Sequence, residues 1–271
     1  MMKEYYKEKC PSWANNVEVK NDLILGDDID SLATCNLLTD ITNENWKVNY
    51  FYNFKDFYIH TETELSTIGV DMAFTRNVKC FDNHVSKEHS NSPYNPFCMN
   101  LNLYKGVSRE NYGKKYSMST LLMVMSYYDI PLPKSQEGKE LLLAVDTAFK
   151  GYYSSYFNPI HTNWLEILEY TELIDILKQR DSKYFYDIIK YFGLHEKVWI
   201  DENGFLQSNI KLEEIQPYFD WKLELPKQQF SLRKECIREG HEIGKKSIPE
   251  RSQLISLAFT SKNYISYTYK A

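Results

Sequence analysis

The sequence predicts an α/β fold, a mostly parallel sheet flanked by helices, followed by a mixed α+β C-terminal lobe. Three observations carry that expectation. Apolar runs rich in β-branched and aromatic residues (20–26, 46–52, 68–74 and 78–82) alternate with helical stretches in the first half. The acidic turn Gly26-Asp27-Asp28-Ile29-Asp30 joins the first run directly to a helix with Leu32, Cys35 and Leu38 at helical spacing. The runs at 68–74 and 78–82 each contain or end on an aspartate. In such sheets ligands gather at the carboxyl ends of the strands, so Asp28, Asp71 and Asp82 are expected to share a site.

In chain order, residues 20–26 form the first strand, and Gly26 permits the sharp turn that follows. Ser31 is expected to cap a helix over 31–39. Asp27, Asp28 and Asp30 then crowd beside its N-terminus, where they repel one another unless a cation sits between them. The turn therefore reads either as a hard-metal site with Asp28 and Asp30 as ligands or as an acidic loop that caps the helix.

Trp46-Lys-Val-Asn-Tyr-Phe-Tyr52 alternates as a strand, and residues 68–74 and 78–82 give two more. Residues 84–116, rich in Asn, Ser, Pro and Tyr, read as a functional loop or a poorly ordered one. Ser117 or Ser119 starts a helix with Leu121, Val124, Met125 and Tyr128 on one face, ended by Pro131 and Pro133. A helix over 136–149 carries Asp146 deep in apolar residues, where a carboxylate needs a partner. The domain organisation expected is a metal-binding domain over 1–155 and an α+β lobe over 156–271. In the lobe we expect helices at 163–180 and 182–193 and a hairpin around Asp201-Glu202-Asn203-Gly204. A basic amphipathic helix at 232–241 and a terminal hairpin over 254–259 and 264–269 complete it.

Composition narrows the function classes. The chain of 271 residues is 43% hydrophobic and 25% charged, which is ordinary globular usage. Twenty-two tyrosines imply a ring-rich core or a ring-lined groove. The net charge of -5 argues against a broad basic surface for duplex DNA. The cysteines at 10, 35, 80, 98 and 236 form no C-x-x-C pair, as expected of a reduced cytoplasmic protein. Met1-Met2-Lys3-Glu4-Tyr5-Tyr6 has no apolar core, so no leader is expected, and no run reaches the ~18 apolar residues of a membrane span. His60, His89, His161 and His195 lack zinc-ligand spacing, although His89 could reach the site from its loop. Nucleotide-loop and serine-hydrolase motifs are absent.

Asp28-x-Asp30, Gly69-Val70-Asp71, Asp82-Asn83-His84 and Val145-Asp146-Thr147 occur in an order that resembles the DHH phosphoesterase superfamily over residues 20–150. That superfamily includes RecJ-like exonucleases, oligoribonucleases and family II pyrophosphatases. The resemblance implies that Asp28, Asp30, Asp71 and Asp146 hold metal, with Asp71 bridging. It also implies that Asp82, Asn83 and His84 stand for the signature triplet, His84 facing the scissile phosphate. Two Mn²⁺ or Mg²⁺ ions are expected, one being the lesser alternative; such a pair polarises a phosphoryl oxygen and generates hydroxide. Arg109, Lys114 and Lys115 read either as substrate-binding cations or as a solvated loop.

Two positions depart from the family pattern. Ile24 stands where a metal-binding histidine is usual, and Asn83 replaces the middle histidine of the triplet. These changes leave open a Mg²⁺-leaning enzyme, a one-metal enzyme or a protein without turnover. No Gly-Gly-His-type motif follows Gly151. Arg233, Lys234, Arg238, Lys245, Lys246 and Arg251 form either a basic groove or a salt-bridged surface helix. The expected function is a divalent-metal-dependent phosphoesterase acting on a phosphorylated small molecule or a short single-stranded nucleic acid. The alternative is a DHH-fold protein that binds a phosphorylated ligand or a protein partner without turnover.

Overall fold

Strands that are apolar on both faces must be covered on both faces, and β1 (Asn21–Leu25) is buried along its whole length. The computed structural model describes residues 2–270. In it β1 runs parallel to β2 (Trp46–Tyr52), and β3 (Asp56–Ile59) runs antiparallel to β2. On the other side of β1, β4 (Ser66–Val70), β5 (Lys79–Phe81) and β6 (Cys98–Met99) follow, each parallel to the last. The period of two sorts the side chains of β1. Leu23 and Leu25 join the main core, while Ile24 packs with Tyr50, Tyr52 and Phe74.

β7 (Val198–Ile200) and β8 (Leu206–Ser208) form a separate hairpin, as the turn residues predict. β9 (Ser231–Glu242) pairs antiparallel with β3 and then with β11 (Tyr264–Lys270), and β10 (Leu254–Ser261) pairs with β11. The order is β10-β11-β9-β3-β2-β1-β4-β5-β6. The chain is thus α/β at the coarse level, its parallel half extended by four antiparallel strands. β10 also bonds back to the segments after β4 and β5: Leu257 N–H donates to Ala73 O (2.9 Å) and Phe259 N–H to Val85 O (2.8 Å). The terminal hairpin therefore curls over the strand ends.

The helices are α1 (Glu4–Lys7), α2 (Ile29–Ile41), α3 (Leu101–Tyr104), α4 (Thr120–Tyr127), α5 (Gln136–Ala144), α6 (Asn158–Ile167), α7 (Glu172–Gln179), α8 (Ser182–Phe192) and α9 (Leu212–Ile215). Every residue of α4 is buried, so it is the central helix against which the acidic turn packs. Among the described residues no helix is long and apolar enough to cross a membrane.

Several local expectations change. Residues 232–241 are a strand and not a helix: β9 is hydrogen-bonded on both edges, and its charges stay exposed around the buried Cys236. The stretch 163–180 is two helices, α6 and α7, separated where Glu169 takes a left-handed φ of 58°. The helix expected over 136–149 ends at Ala144, because Asp146 and Thr147 have φ of 50° and 53°. The segment 84–116 contains β6 and α3 and is not one long loop.

Candidate metal centre

Because β1, β4 and β5 are parallel, the residues that follow them emerge at one edge. Asp71 N–H donates to Phe81 O (2.9 Å) and Asp82 N–H to Met99 O (3.1 Å), which fixes both aspartates just beyond the paired strands. Ser31 clamps the turn rather than capping the helix. Its Oγ accepts from Gly26 N–H (2.7 Å) and donates to Val70 O (2.8 Å). The cap of α2 is Asp28, whose Oδ1 accepts from Ser31 N–H at 3.2 Å. Gly26 is needed here, since a Cβ would lie 3.0 Å from that Ser31 Oγ. Asp71 (φ 61°) and Asp146 (φ 50°) both have left-handed backbone, uncommon for a residue with a side chain and concentrated at functional sites.

Three hydrogen-bonded groups orient the carboxylates. Asp30 accepts from the N–H groups of Thr120 (2.7 Å) and Leu121 (2.8 Å), so it caps the first turn of α4. Asp71 Oδ1 accepts from Thr120 Oγ1 at 2.6 Å. Asp82 pairs with His84 Nδ1 (2.8 Å) and accepts from Asn100 Nδ2 (2.8 Å), which leaves Nε2 as the free imidazole nitrogen. Asn83 turns its Nδ2 to Asp146 Oδ2 and to Met118 O, both at 2.9 Å.

The structure brings most of the sequence-selected residues together. Ligand atoms of Asp71, Asp82 and His84 all lie within 4.8 Å of one another. Asp28, Asp71, His84 and Asp146 line one cavity of about 200 Å³ with Asp27. A second cavity of about 200 Å³ lies beside it, bounded by Asp28, Asp30, Asp146, His195 and Lys197. Arg109, Lys114 and Lys115 line neither cavity. Arg109 pairs with Glu88 at 3.2 Å, and the Lys115 ammonium lies 5.0 Å from the ring centre of Tyr112. Lys115 still acts on the site at a distance, since, after His84 and Asn83, it opposes the rise that burial imposes on the Asp146 pKa.

The cations at the cavity wall are instead Lys197 and Arg238. Lys197 carries no local sequence signal, whereas Arg238 belongs to the basic cluster noted above. Lys197 reaches Asp27 Oδ1 (2.9 Å) and Asp28 Oδ2 (3.5 Å). Arg238 lies 5.2 Å over the Phe54 ring and projects from an exposed part of β9. Ser256, Thr260, Ser266, Tyr267 and Thr268 of the curled hairpin close the cavity on the far side. None of these could be assigned from local pattern, because only the closure of the sheet brings them here.

The electrostatics are those of a cage short of positive charge. Burial pushes Asp71 up to about 8; His84 opposes this, while Asp28, Asp146 and Asp82 add to it. Burial first, then Asp71, Asp146 and Asp28, raise Asp30 well above the ordinary carboxylate range. Burial likewise raises Asp146 against the pull of His84. For His84 burial works against the charge, but Asp82 beside it and then Asp71 and Asp146 hold its pKa up at about 10. A divalent cation would relieve this repulsion without adding a proton.

The donor set fits such an ion at the Asp71–Asp82–His84 end, where two carboxylates and an imidazole converge and no lysine or arginine ion pair occurs among the described residues. Comparison with known proteins adds no relative: no family model, curated protein or solved structure matches the chain.

Proposed function

We propose that the chain is a divalent-metal-dependent phosphoesterase, a divergent relative of the DHH superfamily, that hydrolyses a phosphodiester or phosphoanhydride of a nucleotide or short oligonucleotide. The observation that carries this reading is the meeting of Asp28, Asp71, His84 and Asp146, far apart in sequence, in one cavity whose wall also holds Arg238. Asp71, Asp82 and His84 would hold Mn²⁺ or Mg²⁺. When bound, that ion would polarise a phosphoryl oxygen and lower the pKa of a water molecule. Asp82 holds the His84 imidazole through Nδ1, which leaves Nε2 available to an ion or a phosphate oxygen. Arg238 would neutralise the non-bridging oxygens of the substrate.

Size sets the substrate class. A cavity of about 200 Å³ is smaller than the roughly 300–1,000 Å³ of pockets that engulf a drug-sized ligand. A cavity of that size suits a phosphoryl group with an adjoining sugar beside Phe54, which lines it, the rest of the substrate lying outside. Five free cysteines support a reducing, cytoplasmic setting. The test is hydrolysis of a bis-aryl phosphodiester and of a short single-stranded oligonucleotide with Mn²⁺ or Mg²⁺. Turnover that chelation abolishes and that Asp71→Asn lacks supports the enzyme; no turnover of either probe by the folded, metal-supplied protein sinks it.

One observation favours a second reading. Asn83 offers its nitrogen, not its oxygen, to Asp146, so the triplet lacks a middle ligand. A protein that binds a phosphorylated ligand without turnover follows if nucleotides shift its melting temperature in the absence of hydrolysis.

A further inference from the structure

We propose that Lys197 is a built-in cation: its ammonium takes the place of a divalent ion at the Asp27–Asp28 end of the cluster, so the chain binds one such ion and not two. The inference rests on the reading of the cluster as a metal centre and fixes its stoichiometry. The Lys197 Nζ lies 2.9 Å from Asp27 Oδ1 and 3.5 Å from Asp28 Oδ2. Its position is set by the backbone and not by the side chain alone. Val198 N–H donates to Asp27 O at 2.9 Å, and Ser208 Oγ donates to Lys197 O at 3.0 Å. The first bond ties the β7–β8 hairpin to the turn after β1 and the second braces Lys197 within the hairpin, so the fold places the residue beside the acidic turn.

The two ends of the cluster differ in what they offer a metal. Asp71 and Asp82 have an imidazole beside them and no lysine or arginine within ion-pair distance among the described residues. The Asp27–Asp28 end has no neutral donor from β1, because Ile24 is packed with Tyr50, Tyr52 and Phe74. A hard divalent ion seeks about six ligands, whereas a lysine ammonium needs only a few acceptors. Lys197 is also part of the wall of both cavities, with Asp28 and Asp146, so it stands on the boundary that a second ion would have to cross. An ammonium there neutralises part of the acidic turn and opposes entry of a divalent ion by charge repulsion.

The experiment counts bound Mn²⁺ by electron paramagnetic resonance of the free ion, using the full chain as wild type, Lys197→Met and Lys197→Gln. Removing the ammonium is expected to raise the count from one ion per chain to two in both variants. Melting curves establish that each is folded, and Gln keeps a donor to Asp27 should Met not fold. Two ions in the wild type, or one in the wild type and in a folded variant alike, overturn the inference and leave the metal centre standing. No ion in the wild type overturns both.

Discussion

The side-chain amide of Asn83 donates to Asp146 Oδ2 at 2.9 Å, linking the strand-end triplet to a carboxylate 63 positions further along the chain. The same Nδ2 donates to Met118 O. Asn83→Ala leaves a buried carboxylate and a carbonyl without this donor. The expected cost is about 1–3 kcal/mol, read as a lower denaturant midpoint with an unchanged slope. Asn83→His, which supplies an imidazole beside Asp146, is expected to strengthen Mn²⁺ binding; weaker binding by a folded variant would count against a metal centre beside Asp146.

Asp28 and Asp30 are two residues apart and do different work. Asp30 accepts two N–H groups at the start of α4, whereas Asp28 caps α2 and faces Lys197. Asp30→Ala strands two buried N–H donors, Thr120 and Leu121, and at about 1–3 kcal/mol for each unsatisfied group it is expected to destabilise severely. Asp28→Ala costs about 1 kcal/mol for the lost cap. Equal losses in thermal denaturation would show that Asp30 does not support α4.

Asp71 is buried in left-handed backbone among like charges. Asparagine tolerates the same φ, so Asp71→Asn keeps the turn and removes a carboxyl that burial forces to hold its proton up to about pH 8. The variant is expected to melt at a higher temperature than the wild type without metal and to lose the wild type's stabilisation by Mn²⁺. A wild type that Mn²⁺ does not stabilise contradicts this, as does a variant that it still stabilises.

Elements with a local signal were legible, and those made by closure were not. β1, β2, β4, β5 and the terminal hairpin stood out because their apolar and aromatic runs are bounded by turn residues. β9 misled because its single buried side chain, Cys236, sits in a run of charges that fits a helix surface equally well. β3, four residues with one buried side chain, gave no alternation to read. The same division holds in the site. Asp28, Asp71, Asp82 and His84 follow strands, and Asp146 follows α5, in a recognisable order, whereas Lys197 arrives on a short hairpin and Arg238 on β9. The cap of α2 is Asp28, three residues before the Ser31 that the local pattern favours, because the Ser31 hydroxyl is engaged with Gly26 and Val70.

His161 gives the stability a pH dependence away from the cage. Its Nε2 donates to Ala148 O at 2.6 Å, and its Nδ1 is buried without a partner. Burial lowers its pKa below the ordinary 6.5, outweighing the Ala148 carbonyl. The unfolded chain therefore takes up the proton first as pH falls. The contribution of His161 is constant above its unfolded pKa of 6.5 and is lost as pH drops through and below that value. His161→Gln is expected to show a shallower fall in unfolding free energy between pH 7 and about pH 5. Parallel curves for the two proteins would remove His161 as the cause.

The most direct test of the metal centre is anomalous diffraction at the manganese edge from crystals of the wild-type chain soaked in Mn²⁺. A peak among Asp71, Asp82 and His84, at about 2.0–2.6 Å from their ligand atoms, is the result predicted. Strong anomalous density elsewhere on the protein with none among these three residues would contradict the account.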